Sequence, residues 1–433
     1  MKSKYLFSVI VLLSSLPALA KQHHNHHDKN EWQTIPVASQ MEIIDPSGQS
    51  KTITPSCAFD TVPNPLDGTP LDNSFQFYFK QGKSKNVLVY FNGGGSCWND
   101  ATCVASLALE AVEGDRPTYN PSILQENSPV DAGGVFDDSN RRNPFKDWSK
   151  VFIPYCTGDL HAGSSEVVYT DVDGSITGFP GAPVPVKHKG FDNFLAVQDW
   201  MKTHFKGRSW HKNAIDKMLV TGSSAGGYGA TLNFPYLQGA FPRAKAMLFA
   251  DASASIVSEG FVDDVFRSGS PWNFENTLPT IFRSGLGTYT AADLNVDLFQ
   301  RLSYRYPRSR FAQYTTEFDG VQVLFNKVMD QIDQGNTNPF TWALQPSDYL
   351  YFADWNARMT ASFGQIADTT RNYQYYIGEG SIHTILTDDF ATEAQPHPFY
   401  DEQSAQGVRF TSWLNYFVNA RWFYPISLAY EAQ

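Results

Sequence analysis

A serine in a glycine-rich turn is the first candidate for chemistry in this chain. The segment Gly222-Ser223-Ser224-Ala225-Gly226-Gly227 follows the apolar run 218–220 and precedes a stretch that can begin a helix. In such a strand-to-helix turn the middle serine is held with its Oγ exposed, and small neighbours avoid a clash with the adjoining strand and helix. The pattern predicts a nucleophile elbow in which Ser224 is the nucleophile.

A serine nucleophile needs a base that removes its proton, and histidine is the usual one. Of the ten histidines in the chain, only His383 and His397 follow the elbow. His383 lies in a loop directly after the last predicted strand, whereas His397 lies between two prolines in what we interpret as a surface loop. We therefore predict that His383 is the base and keep His397 as the alternative.

The base in turn needs an acid that fixes its tautomer and orientation. Asp319 follows the strand predicted at 310–315, and it precedes His383, which is the chain order typical of this kind of elbow. Asp251 directly follows the strand predicted one step earlier, although its side chain can equally cap the next segment. We favour Asp319 as the acid, with Asp251 as the alternative and Glu317 as a third choice.

A second glycine-rich segment offers hydrogen-bond donors for an oxyanion. Gly94, Gly95 and Ser96 follow a predicted strand that ends at Phe91. Backbone N–H groups in such a turn stabilise a developing negative charge without a charged side chain. We expect the oxyanion to be held by the N–H groups of these three residues and of Ala225, the first helical residue after the nucleophile.

The elements that must position these residues alternate between strand-like and helix-like segments. This order predicts an α/β fold with a mostly parallel central sheet flanked by helices. Aromatic side chains are frequent in 253–308, which shows no strand pattern and which we interpret as a helical cap insertion. The predicted strands are 74–80, 86–91, 151–155, 217–221, 245–250, 310–315 and 372–377, and the clearest helices are 190–205 and 408–418.

The chain begins with the pattern of a removable secretory signal. Lys2 and Lys4 precede an apolar run, and Ala18-Leu19-Ala20 has the small-x-small form that signal peptidases cut. We therefore predict a signal peptide at 1–20 and an exported protein, either periplasmic or extracellular. No later apolar run is long enough to span a bilayer.

After the signal peptide we predict a flexible tail at 21–40 and a single domain at 41–433. The histidines at 23–27 can bind a transition metal weakly, but we interpret them as part of a solvated tail. The net charge of −11 argues against nucleic acid and anionic membranes as partners, since both favour a basic face. We expect a monomer.

Four cysteines in an exported chain favour disulfides over a metal site. Cys97 and Cys103 are close enough in sequence to close a short loop, which leaves Cys57 and Cys156 as the other pair. Cysteine catalysis is the rival interpretation, and we do not favour it.

Several blocks in a fixed order carry a resemblance to a known family. The chain resembles the pectin acetylesterase and Notum family of carboxylesterases from about Cys57 to His383. The blocks are Asn92-Gly93-Gly94-Gly95-Ser96-Cys97 with Cys103 after it, 153–159, Lys189-Gly190-Phe191 and the elbow at 222–227.

The resemblance implies an α/β-hydrolase without a metal or an organic cofactor. It assigns Ser224 as nucleophile, Asp319 as acid and His383 as base, and it implies the pairing of Cys97 with Cys103. Members of the family remove acyl groups from oxygen: acetyl from pectin, or a fatty acyl group from a secreted signalling protein.

We therefore expect a serine carboxylesterase whose substrate is an acyl ester such as an acetylated polysaccharide. A serine peptidase or a lipid deacylase on the same fold is the alternative, and an exported binding protein without catalysis is a third. An intact candidate triad argues against the third, since a silent protein has no physical need for it. The choice between acetyl and longer acyl groups depends on the cap insertion and stays open at this point.

Overall fold

The computed structural model of the protein describes residues 31–60, 62, 68–111, 116–123, 128–205 and 215–429. The predicted signal peptide and the histidines at 23–27 lie outside these residues. Among the helices in the described ranges, none combines the length and the apolar character that crossing a bilayer requires.

An eight-stranded sheet forms the centre of the molecule. Six adjacent strands run parallel to one another, whereas the two strands at one edge are antiparallel to their neighbours. Across the sheet the order is β1 (Gln33–Pro36), β4 (Gln76–Lys80), β6 (Ser149–Ile153), β5 (Val87–Phe91), β9 (Lys217–Ser223), β10 (Lys245–Asp251), β11 (Arg310–Thr316) and β12 (Tyr373–Gly378).

Both faces of the sheet are buried under helices. In β5, Val87, Val89 and Phe91 pack into one apolar cluster, while Leu88 and Tyr90 pack into a second cluster on the opposite face. The helices are α1 (Asp100–Cys103), α2 (Gly190–His204), α3 (Ala225–Ala240), α4 (Glu259–Val265), α5 (Phe274–Thr277), α6 (Thr280–Arg283), α7 (Leu294–Arg305), α8 (Gly320–Asp333), α9 (Tyr349–Thr369), α10 (Pro398–Asp401) and α11 (Phe410–Asn419).

The predicted mostly parallel sheet with flanking helices is confirmed. Each of the seven predicted strands has a counterpart whose bounds agree within two residues, and the segment interpreted as a cap insertion contains α4 to α7. The sequence patterns did not predict two antiparallel hairpins, β2 (Met41–Ile44) with β3 (Ser50–Ile53) and β7 (Ser165–Asp171) with β8 (Ala182–His188).

One predicted boundary is wrong. Residues 33–36 were expected in a flexible tail that reached residue 40, but they form β1 and pair antiparallel with β4. The pairing satisfies backbone groups along the outer edge of β4, and Ile35 and Val37 pack against the core. The ordered domain therefore begins before residue 41.

Two disulfides join the four cysteines as expected. Cys57 pairs with Cys156, which follows β6, and Cys97, directly after the second glycine-rich segment, pairs with Cys103 at the end of α1. All four residues are buried.

Candidate active site

The elbow holds Ser224 in a backbone conformation that non-glycine residues rarely adopt. Its φ is 57° and its ψ is −127°, directly between the end of β9 and the first residue of α3. The Ser224 N–H donates to the carbonyl of Asp251 on the adjacent strand at 2.9 Å. Strain of this kind is found where surrounding structure fixes a functional side chain.

Small residues make the elbow possible. A Cβ atom at Gly226 would overlap the carbonyl oxygen of Phe91, where β5 ends and the second glycine-rich segment begins. This close approach brings the two glycine-rich segments together. The predicted nucleophile and the predicted oxyanion donors therefore lie at the same end of the sheet.

His383 and Asp319 are in direct contact. The His383 Nδ1 lies 2.8 Å from Oδ1 and 2.9 Å from Oδ2 of Asp319, and both side chains are buried. Because a carboxylate only accepts hydrogen bonds, we assign the ring proton to Nδ1. The other ring nitrogen, Nε2, then carries the lone pair that a base needs.

The Asp319 carboxylate is held from the other side by the helix that it caps. Its Oδ1 accepts the N–H groups of Val321 and Gln322 at the start of α8, at 3.1 and 3.0 Å. The Gln322 amide also donates to Oδ2 at 2.7 Å. These donors satisfy the buried charge, so the carboxylate can orient the histidine without moving.

Ser224 and His383 line the same cavity. The structure contains no hydrogen bond between the two side chains, and the buried Nε2 of His383 has no partner in the described part of the chain. Hydrogen bonds between catalytic groups are often long in unliganded enzymes, so the missing bond does not argue against His383 as the base. The structure brings Ser224, His383 and Asp319 to one site.

The wall of this cavity is mostly apolar. Five different helices, α3, α4, α7, α8 and α9, contribute to it. Representative side chains are Tyr228, Leu232, Phe261, Leu298, Phe325 and Trp355. Ser224 therefore faces a space that favours a hydrophobic group.

The second glycine-rich segment also reaches the cavity, through Gly95 and Ser96. The N–H groups of Gly94 and Gly95 donate to no other group in the ranges that the structure describes. Gly95 has a φ of 73°, and a Cβ atom there would overlap the carbonyl of Thr118. Ala225 is the first residue of α3, so its N–H has no acceptor within the helix.

The prediction for Ser96 needs correction. Its N–H donates to the carbonyl of Thr118 at 2.8 Å, because Gly95 forms an antiparallel bridge with Tyr119. A donor already used in this bridge is not free for an oxyanion. The candidate donors are therefore Gly94, Gly95 and Ala225.

Residues 62–260 match the family model "Pectinacetylesterase". A carboxylesterase of Schmidtea mediterranea, palmitoleoyl-protein carboxylesterase Notum, is 29% identical over 158 residues, which is 36% of this chain and 25% of that protein. Pectin acetylesterase 11 of Arabidopsis thaliana is 28% identical over 181 residues, which is 41% of this chain and 39% of that protein.

These matches support the pectin acetylesterase and Notum family for this chain. The solved structure of the Wnt deacylase Notum from Drosophila covers 87% of this chain and 97% of its own, with a TM-score of 0.50 and 16% identity. At this identity the likeness concerns the fold alone, which is that of an α/β-hydrolase.

The family match does not reach every residue of the site. It includes the second glycine-rich segment and the elbow, but Asp319 and His383 lie beyond residue 260. The sequence matches span between a quarter and two fifths of the length of the two curated relatives. The assignment of Asp319 and His383 to the site therefore rests on the geometry of the structure.

None of the alternative residues forms a hydrogen bond with His383 in the described part of the chain. His397 pairs with Asp388 at 3.2 Å, and its side chain is 62% exposed. Glu317 accepts only a long hydrogen bond from the N–H of Gly380, at 3.4 Å. Asp251 is buried beside the elbow, but it bonds to Ser223 and to backbone N–H groups rather than to the ring of His383.

Two side chains at the site were not predicted. Gln322 was detectable, since an acid three residues before a glutamine is typical of a helix start. The ring of Phe390 packs edge-on against His383, with the ring centroids 5.0 Å apart, and remains 41% exposed. No local pattern predicts that contact, because Phe390 lies in an irregular loop.

Glu402 is a buried acid behind the loop that carries His383. It lies beside Gly378 at the end of β12 and accepts a hydrogen bond from the amide of Gln395 at 3.0 Å. Burial raises the pKa of its carboxyl from the ordinary 4.5 to about 7. The folded protein therefore keeps this proton over a pH range in which the unfolded chain has lost it.

This difference predicts how stability depends on pH. The contribution of Glu402 is fully present below about pH 4.5 and falls as the pH rises towards 7. We expect Glu402→Gln, which cannot ionise, to gain roughly 2 kcal/mol in unfolding free energy relative to the parent between pH 5 and pH 8. Denaturant unfolding of both proteins at the two pH values measures this, and a pH-independent difference would contradict it.

Proposed function

We propose that this protein is an exported serine carboxylesterase that transfers an acyl group from an alcohol oxygen to Ser224 and then to water. One observation carries the proposal: the buried pair of His383 and Asp319 adjoins the cavity that the strained Ser224 lines. The similarity of this chain to pectin acetylesterases and Notum supports the same reaction.

In the first half of the reaction, Ser224 Oγ attacks the carbonyl carbon of the ester while His383 Nε2 takes its proton. The Asp319 carboxylate keeps Nδ1–H oriented and stabilises the imidazolium that forms. The N–H groups of Gly94, Gly95 and Ala225 are proposed to hold the oxyanion. When the tetrahedral intermediate collapses, the ester C–O bond breaks and the leaving oxygen takes the proton from Nε2.

The second half repeats these steps with water. His383 Nε2 removes a proton from a water molecule whose oxygen attacks the carbonyl carbon of the acyl-enzyme. The bond to Ser224 Oγ then breaks, and the proton returns from Nε2 to that oxygen. The products are a carboxylic acid and the free serine, so no further reactant is required.

The lining of the cavity favours an acyl group longer than acetyl. An acetyl group has one methyl to bury, whereas the apolar wall extends over side chains from five helices. Each further methylene that leaves water contributes about 0.8 kcal/mol where it contacts apolar atoms. A deacylase of medium or long acyl chains is therefore the form of the proposal that the cavity supports.

Export is part of the proposal because of the two disulfides. Disulfides persist in oxidising compartments, and both pairs here are buried within the domain. This agrees with the secretory signal predicted from the sequence.

Hydrolysis of p-nitrophenyl esters of two to sixteen carbons, by the purified protein and by Ser224→Ala, tests the proposal. We expect turnover in the parent alone, with an optimum above two carbons. Acetate release from acetylated pectin is the parallel test for a polysaccharide substrate. Cleavage of amides in preference to esters would favour a peptidase, and a parent with no activity on any ester would refute the esterase.

A substitution in the cavity wall tests the acyl pocket. Leu298 lines the cavity from α7, and Leu298→Trp would fill part of the space with a larger side chain. We expect kcat/KM for a decanoate ester to fall about tenfold or more relative to that for acetate. Retained acetate hydrolysis is the internal control for folding, and an unchanged ratio would show that acyl chains bind elsewhere.

A further inference from the structure

A second buried carboxylate, that of Asp251, lies beside the site without touching the ring of His383. Asp251 ends β10 and is inaccessible to solvent. Its oxygens accept the N–H of Ile385 at 3.1 and 3.2 Å and the N–H of Leu386 at 3.0 Å. These two residues follow His383 closely, so the carboxylate anchors the backbone of the loop that carries the histidine.

The same residue also anchors the elbow. Its Oδ2 accepts the hydroxyl of Ser223 at 2.6 Å, and its backbone carbonyl accepts the N–H of Ser224 at 2.9 Å. Ser223 Oγ in turn accepts the hydroxyl of Tyr90 at 3.0 Å. Tyr90 lies near the end of β5, just before the second glycine-rich segment. One carboxylate thus connects the three segments that supply nucleophile, base and oxyanion donors.

We propose that Asp251 is a positioning residue that fixes the His383 loop against the nucleophile elbow, while Asp319 alone orients the imidazole ring. The inference rests on the esterase function proposed above. Three donors from two segments converge on the Asp251 carboxylate: Oδ2 accepts all three, and Oδ1 shares the N–H of Ile385. Without it, the Ile385 and Leu386 N–H groups would be buried and unpaired, and the loop would move to satisfy them.

Retaining an acid at this position costs free energy. Burial raises the pKa of the Asp251 carboxyl to about 7, although the hydrogen bonds from Ser223, Ile385 and Leu386 act in the opposite direction. An apolar residue would avoid this cost but would leave the donors unpaired. Packing alone therefore does not explain why a carboxylate occupies this position.

The substitution Asp251→Asn keeps the shape but replaces one acceptor oxygen by an N–H donor. We expect the loop to loosen and kcat per active site to fall about 10- to 100-fold, as for a misplacement of a reacting group by about 1 Å. KM should change little, because Asp251 does not line the cavity. Ser223→Ala, which removes only the connection to the elbow, should lower kcat by a smaller factor.

Asp171→Asn is the matched control. Asp171 is equally buried, and its Oδ2 accepts three donors, from Ile176 and Thr177, in the turn between β7 and β8. Its neighbours do not line the cavity. Both substitutions should lower stability, but only Asp251→Asn should affect the His383 loop.

Two readouts separate the outcomes. Amide hydrogen exchange of the segment containing Ile385 and Leu386 should accelerate about tenfold or more in Asp251→Asn and stay unchanged in Asp171→Asn. The second readout is the rate of ester hydrolysis, divided by the number of sites that a fluorophosphonate titrates. This division removes the contribution of unfolded protein. If Asp251→Asn does not fold, kcat per titrated site in Ser223→Ala provides the test: a loss supports the connection between Asp251 and the elbow, and an unchanged kcat overturns it.

Equal exchange and equal kcat per site in Asp251→Asn and the parent would overturn the proposal. Losses of kcat per site of the same size in Asp251→Asn and Asp171→Asn would also overturn it. A parent protein that hydrolyses no ester would refute the proposed function instead, and the exchange measurement would still decide whether Asp251 holds the loop.

Discussion

Replacing Ser224 by alanine is expected to lower kcat for ester hydrolysis by about a millionfold, to the level left by binding and the oxyanion donors. The reason is that Ser224 Oγ supplies the electron pair for the new bond, and water in its place lacks the alignment that the elbow imposes. Alanine also removes a side chain from a strained φ of 57° without relieving the backbone. Steady-state hydrolysis of the preferred p-nitrophenyl ester measures the effect.

The matched control is Ser253→Ala. Ser253 is also buried beside α3, and its Oγ has no hydrogen-bond partner within the described residues. It does not line the cavity, so kcat should stay within a few-fold of the parent. Substantial turnover by Ser224→Ala, with Ser253→Ala unchanged, would mean that another group is the nucleophile.

Replacing Asp319 by asparagine is expected to lower kcat about ten-thousandfold. The amide would present an N–H group to His383 Nδ1 and so favour the tautomer that carries its proton on Nε2. A histidine in that tautomer cannot accept the proton of Ser224. Because the asparagine still caps α8 through its oxygen, stability should change much less than activity.

The comparison with Asp251→Asn makes this prediction specific. Both acids are fully buried, but only Asp319 contacts the histidine ring. The loss in Asp319→Asn should therefore exceed that in Asp251→Asn by about a hundredfold or more. A larger loss of kcat in Asp251→Asn than in Asp319→Asn would indicate that Asp251 is the acid of the triad, which is the alternative kept in the sequence analysis.

The sequence predicted most of the parallel sheet because its strands are short apolar runs. In β5 both faces are buried, so every residue from Val87 to Phe91 is hydrophobic and the run ends at the second glycine-rich segment. The elbow was predictable for a similar reason: its tight turn against β5 leaves no room for a Cβ atom at Gly222 or Gly226. Local requirements of this kind leave a clear pattern in the sequence.

The hairpins and the buried networks left weaker patterns. In β8, Pro183 and Pro185 argue against a strand, yet both side chains are exposed and the two-stranded ribbon tolerates the missing N–H groups. The hydroxyl of Tyr90 reaches Ser223, 133 residues later, and nothing in either local sequence indicates that bond. The hydrogen bond from the Ser96 N–H to the carbonyl of Thr118 likewise joins two separate segments.

The most direct test of Ser224 as the nucleophile is to label the intact protein with a fluorophosphonate and to locate the adduct by peptide mass spectrometry. We expect one adduct per molecule, on Ser224, together with complete loss of esterase activity. His383→Ala should abolish the labelling, since the attack needs a base. Ester hydrolysis that survives without labelling, or an adduct on another residue, would contradict the assignment of Ser224 as the nucleophile.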